Sequence, residues 1–134
     1  MTVKDTKAMI AGMTPRLTDG VWVYCCESDT AKAKARVHDA FAMIHEAEGM
    51  TLILPYDVAA AHGYNCSLRM RRITLDVFSD LEGIGLTAAV AQALTDAAIS
   101  CNVVAAFHHD HVLVPEADSE RAIEVLMMAQ KAAE

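Results

Sequence analysis

RITLDVFSDLEGIGLTAAVAQALTDAAISCNVVAAFHHDHVLVP, residues 72–115, decides how the rest of the chain is read. Ile73, Leu75 and Val77 alternate with Arg72, Thr74 and Asp76, the period of a strand with one buried face. A glycine-bearing turn follows. From Gly85 onward Leu86, Val90, Ala93, Leu94 and Ala97 fall on one apolar stripe of a helix. Residues 99–107 are again β-rich, His108, His109 and Asp110 form a polar turn, and a second strand from His111 to Val114 ends at Pro115. The order is β-α-β-β.

Downstream, Asp118 or Ser119 caps a last helix whose Ala122, Val125, Leu126, Ala129 and Ala133 form another stripe. Upstream the same grammar recurs less clearly. Thr2 to Met13 reads as a short helix closed by Pro15, and Arg16 to Gly20 as a polar turn. Val21 to Cys26 is a strand of β-branched and aromatic residues, and Asp29 or Thr30 starts one or two helical turns. Ala40 to Ala47 alternates and is separated by Gly49 from Thr51 to Leu54, which predicts a hairpin. Pro55 opens a short helix that Gly63 closes as a left-handed residue after His62.

Two successive strand-and-helix patterns predict an α+β fold: a ferredoxin-like two-layer α/β sandwich of two βαββαβ units, residues 1–71 and 72–134, sharing or exchanging strands. The second unit has no fourth strand after its last helix. The open edge predicts that a strand from the N-terminal half or from a second subunit fills the vacancy.

Composition narrows the function. The 134 residues carry a formal net charge of −7, the wrong sign for a protein that gains affinity by neutralising phosphates, so nucleic acid is not an expected partner. Residues are 54% hydrophobic, yet no apolar run approaches the roughly 18 residues of a membrane span. The first residues lack the apolar core of a secretion signal, which makes the cytoplasm the expected compartment. Cys25, Cys26, Cys66 and Cys101 lack any Cys-x-x-Cys spacing and read as reduced, buried small hydrophobes.

The segment Gly85-Leu86-Thr87-Ala88-Ala89-Val90-Ala91-Gln92-Ala93-Leu94-Thr95-Asp96-Ala97-Ala98-Ile99-Ser100 resembles the first helix of an ACT domain, where a strand ends in a Gly-Leu turn and a helix leads into the second strand. The whole chain is also similar to small bacterial tandem ACT-like proteins. The resemblance implies a non-enzymatic regulatory or sensor module that binds an amino acid or another small metabolite where two units pack side by side, with a homodimer as one assembly open to it; the alternative is a protein-interaction or dimerisation module without a small ligand. Carried over by position, the ligand-binding residues are Glu82, Gly83, Ile84, Gly85 and Leu86 in the turn and Asn102, Val103 and Val104 in the second strand. Unpaired N–H groups at a helix start suit a carboxylate. Two departures stand out: Asp80 to Gly85 is longer than the family's turn and lacks its proline, and Ala98 replaces a frequent glycine.

Other clusters read more plainly. Gly83-x-Gly85 lacks the third glycine of a dinucleotide site and the lysine of a P-loop, so no cofactor is expected. His108-His109-Asp110-His111 holds metal-ligating types, but adjacent strand residues point to opposite faces, and a solvated hairpin tip with Asp110 bonding the turn backbone is the favoured reading; no metal is expected. Arg69, Arg71 and Arg72 are candidates to anchor an anion or to keep a strand edge soluble. Glu46 and Glu48 lie near a turn without the partners of a catalytic pair, and Cys25 and Cys101 lack an activating base, so no catalytic residue is assigned.

Overall fold

The computed structural model describes residues 5–77 and 83–134. Backbone contacts divide the chain into two compact units, one formed by Met1–Asp19 with Arg71–Glu134 and the other by Gly20–Met70.

In the first unit, helix α1 (Thr6–Gly12) starts at Asp5, whose carboxylate accepts from the Ala8 N–H at 3.1 Å. Strand β1 (Pro15–Leu17) pairs antiparallel with the later strand β5 (Met70–Leu75), setting Arg16 opposite Thr74. β1 occupies residues read from the sequence as a turn, so this expectation is corrected. Three residues are too few to show a period, and proline, which lacks a ladder N–H, is tolerated where it paired only on one side. Pro15 is buried, Leu17 packs on the core, and Arg16 points outward to Asp76, with its Nε 2.9 Å from the carboxylate. The missing fourth strand of the C-terminal pattern is therefore supplied from the start of the chain.

Helix α4 (Leu86–Asp96), strands β6 (Asn102–Ala105) and β7 (Asp110–Pro115) and helix α5 (Ser119–Ala132) complete the unit, with strand order β1-β5-β7-β6. Ile73 and Leu75 of β5, Val112 and Val114 of β7, Leu86, Val90 and Leu94 of α4, and Ala122 and Leu126 of α5 bury one core, to which α1 adds Met9 and Met13. Asp118 precedes α5 but makes no side-chain cap; its carboxylate takes Arg121 at 3.1 Å instead.

The second unit runs β2 (Trp22–Glu27), α2 (Thr30–Ala35), β3 (Ala42–Glu46), β4 (Gly49–Pro55) and α3 (Tyr56–Ala61), with strand order β3-β4-β2. Met70, its last residue, pairs with Trp22. The predicted hairpin is present, with Glu46 opposite Gly49. Leu52, Ile53 and Leu54 are all fully buried, so β4 is covered on both faces. Strand alternation buries Cys25 beside Val23 and Leu52 and turns Cys26 outward, which corrects the reading of all four cysteines as buried.

α3 and α4 end alike. In α3 the Gly63 and Tyr64 N–H groups bond back to the carbonyls of Ala60 and Ala59, and Gly63 has φ +77°. In α4 the same pair of bonds runs from Ala98 and Ile99 to Thr95 and Leu94, and Ala98 is held at φ +58°. A Cβ in that conformation costs about 1 kcal/mol. Ala98→Gly is expected to raise the unfolding free energy by about 1 kcal/mol, measured as a higher urea midpoint at unchanged slope.

Candidate functional site

The turn expected to bind ligand lies between β5 and α4. Glu82 falls outside the described residues. Gly83 is half-buried, Ile84 is 80% exposed, and Leu86 is buried in the core. Gly85 is the N-cap of α4 at φ +103°, a conformation that glycine adopts without a steric penalty. The turn is not bare. Thr6 of α1 donates its hydroxyl to the Ile84 carbonyl, and a Cβ built on Gly85 would lie 2.6 Å from the Thr6 methyl. Neither contact was legible in the sequence, because 78 residues separate the partners.

Of the expected strand residues, Asn102 is exposed on β6, opposite Leu113, while Val103 packs against the core that Leu86 helps to form. Val104 is half-buried opposite His111. β6 ends the strand order, so its outer edge carries no neighbour among the described residues. No hydrogen bond joins the turn to Asn102–Val104 among the described residues.

The histidine cluster is bound into the sheet. Phe107 and His108 are exposed at the hairpin tip, where the Ala106 N–H bonds the His109 carbonyl at 3.0 Å. Asp110 is 8% exposed and is the first residue of β7, so it belongs to the strand and not to a solvated tip as the sequence reading had it. His109 and His111 lie with ring centroids 6.5 Å apart, but the Nδ1 atom of His111 meets the Thr74 hydroxyl at 3.0 Å and that of His109 the Val77 carbonyl at 3.3 Å. Among the described residues no three His, Cys, Asp or Glu side chains meet in metal-holding geometry.

Burial pushes the His111 pKa below the ordinary value of 6.5; Arg72, His109 and Arg16 push the same way, against Asp76. A histidine with a depressed folded pKa contributes stability that is fully present above its unfolded pKa and is lost as pH falls through the folded one. Unfolding free energy measured in urea is therefore expected to drop as pH falls below about 6.5, and His111→Gln should flatten that slope. An unchanged slope in the variant would assign the acid sensitivity to other groups.

The arginines are structural braces. Arg69 lies over the Tyr56 ring, 4.2 Å from its centroid, and donates to a hydroxyl at 3.0 Å. Arg71 donates to the Thr18 carbonyl at 3.1 Å, and Arg72 to the Thr18 hydroxyl at 3.2 Å. Burial, and secondarily Cys66, pushes the Cys25 thiol up to about 11, so it stays protonated at neutral pH.

A site that the sequence reading passed over lies in the 20–70 unit. β2 runs into α2 through Glu27 to Thr30, the same kind of strand-to-helix turn as that at Gly85. Beside it opens a cavity of about 160 Å³ lined by this turn and by His45, Glu46, Gly49 and Met50 of the β3–β4 hairpin. Its two carboxylates are fixed. Glu27 accepts from the Tyr64 hydroxyl at 2.6 Å and from the Asp29 N–H at 3.0 Å, and the Tyr64 bond holds its carboxyl below the usual range. Glu46 accepts from the Thr51 hydroxyl. Gly49 keeps the floor open, since a Cβ there would meet the Glu27 carbonyl at 3.0 Å. The readable signal was Asp29 as N-cap, which accepts from the Lys32 N–H at 3.0 Å and marks where the strand gives way to the helix. A second hollow, about 290 Å³, lies between β1 and α5, against Leu17, Ile123 and the carboxylates of Glu120 and Glu124. No described helix is long and apolar enough to cross a membrane.

Comparison with known proteins agrees with this architecture. Two ACT domain family models match, over residues 2–71 and 69–127. A Vibrio cholerae protein of unknown function, described as a possible transport protein, has 31% identity and a TM-score of 0.82, over 92% of this chain and 94% of its own. An Agrobacterium tumefaciens protein superposes with a TM-score of 0.69 at 16% identity over 87% of each chain. The regulatory subunit of aspartate kinase from Thermus thermophilus does so with 0.66 at 12% identity, over 89% of this chain and 97% of its own, a likeness of fold. No curated protein matches the chain. The first match alone covers more than half of the sequence and the two together nearly all of it, and the chain therefore belongs to the ACT domain family, with two ACT domains in tandem.

Proposed function

We propose that this protein is a non-catalytic regulatory module, cytoplasmic and homodimeric, whose two ACT repeats, residues 1–71 and 72–134, bind a small metabolite, foremost an amino acid. The observation that carries the reading is the cavity at the Glu27–Thr30 turn of a chain from this family. Its size suits an amino acid, and its carboxylates suit an ammonium group, with Met50 and Ala33 as apolar wall. The similarity to regulatory subunits of aspartate kinase supports a regulatory role over a catalytic one. The turn from Glu82 to Leu86, with Asn102, Val103 and Val104, is the second ligand position in this reading.

A thermal-shift screen with the standard amino acids and common nucleotides at millimolar concentration tests it. An authentic ligand at 100 times its Kd adds about 2.7 kcal/mol to stability, and Glu46→Gln should weaken that ligand's effect. No stabilisation by any amino acid would remove the ligand and leave a module that only associates with protein.

A further inference from the structure

We infer that α1 is a latch on the turn at Gly85, so that ligand entry to the C-terminal ACT domain requires the chain's own N-terminal helix to loosen. The inference rests on the reading above that this turn is a ligand position. Thr6 donates its hydroxyl to the Ile84 carbonyl, and its methyl and hydroxyl fill the space 2.6 Å and 3.0 Å from a Cβ on Gly85. The volume beside the N-cap of α4, where a ligand's carboxylate would approach, is therefore already occupied by protein. The turn of the 20–70 unit, by contrast, stands beside an open cavity.

The latch is held by a few tertiary anchors. Met9 and Met13 are each 1% exposed, and Gln130 of α5 donates to the Ala11 carbonyl at 2.8 Å and the Thr14 hydroxyl at 3.1 Å. Against these stands the weakness of a seven-residue helix, which does not persist without tertiary support. Its joint to β1 is also strained, since Thr14 sits at φ +32°, a backbone region that side-chain-bearing residues rarely adopt. A ligand that displaces Thr6 competes with α1 docking, and the coupling is reciprocal: whatever loosens α1 opens the turn.

Amide hydrogen exchange followed by NMR tests this on the full chain. Thr6→Ala removes the hydroxyl and methyl while leaving Met9, Met13 and Gln130 in place. The amides of Met9 in α1 and of Ala89 in the first turn of α4, bonded to Asp5 and Gly85, should then exchange at least about fivefold faster together, with Leu126 unchanged. Faster exchange in α1 alone, or in neither, overturns the latch. A second arm titrates each of the twenty standard amino acids at about 10 mM onto both proteins, reading the amides of Gly83 to Leu86. The latch predicts at least about threefold tighter binding to Thr6→Ala and faster α1 exchange in the liganded wild type. Equal affinity with α1 undisturbed overturns the latch and leaves the ligand reading intact. Coupled exchange with no amino acid bound would show that α1 clasps the turn, but it removes the ligand reading and with it the latch on ligand entry.

Discussion

Gly85→Ala should lower the unfolding free energy by about 2–3 kcal/mol, a large loss for one added methyl group. Two effects combine. Left-handed backbone at φ +103° costs an L-residue about 1–2 kcal/mol. The new Cβ would also lie 2.6 Å from the Thr6 methyl, and Thr6 can retreat only by turning about its β-branched χ1, which breaks its bond to the Ile84 carbonyl and forfeits about 1 kcal/mol more. The contributions separate in a double-mutant cycle. In a Thr6→Ala background the second contribution is already gone, so the same change should cost about 1 kcal/mol less than in the wild type. Equal costs in both backgrounds would mean that Thr6 does not press on the turn.

Leu126→Ala is expected to cost more, about 2–5 kcal/mol in urea denaturation. Leu126 is fully buried at the centre of the α5 stripe, in the core formed by Ile73, Leu75, Leu94 and Val112. Strands and helices on several sides cannot all collapse into the space that the missing side chain leaves, so the lost transfer energy is joined by a cavity cost. Met127, two-sidedly different in its setting, is 54% exposed one position along the same helix. Its change to alanine should cost less than about 0.5 kcal/mol, which makes it the control for helix propensity.

The elements legible in the sequence are those whose period is long enough to count. β5, α4 and α5 were read from Ile73-Leu75-Val77 and from the Leu86 and Ala122 stripes, and all carry the core. Ala98, which the resemblance sets where the family often has glycine, has a positive φ. β1 was not legible, because a proline-led strand of three residues has no period and gains its identity only from pairing with Thr74 some 58 positions away. The site divides in the same manner. Resemblance pointed to the Gly85 turn, but neither Thr6 against that turn nor the hairpin wall of His45, Glu46 and Gly49 beside Glu27 follows from local pattern; both depend on distant segments meeting.

The placement of β1 also sets an order of assembly. As the chain emerges during synthesis, residues 20–70 are complete while β1 still waits for β5, and the core of the other unit needs α5, which follows β7. The 20–70 unit pairs strands that are near neighbours in sequence, whereas the other must first close a loop of about 60 residues, a slower step by contact order. Refolding should therefore proceed in two phases, with the β2–β4 amides protected before those of β5, and α1 with its Met9 and Met13 should be among the last segments to gain protection.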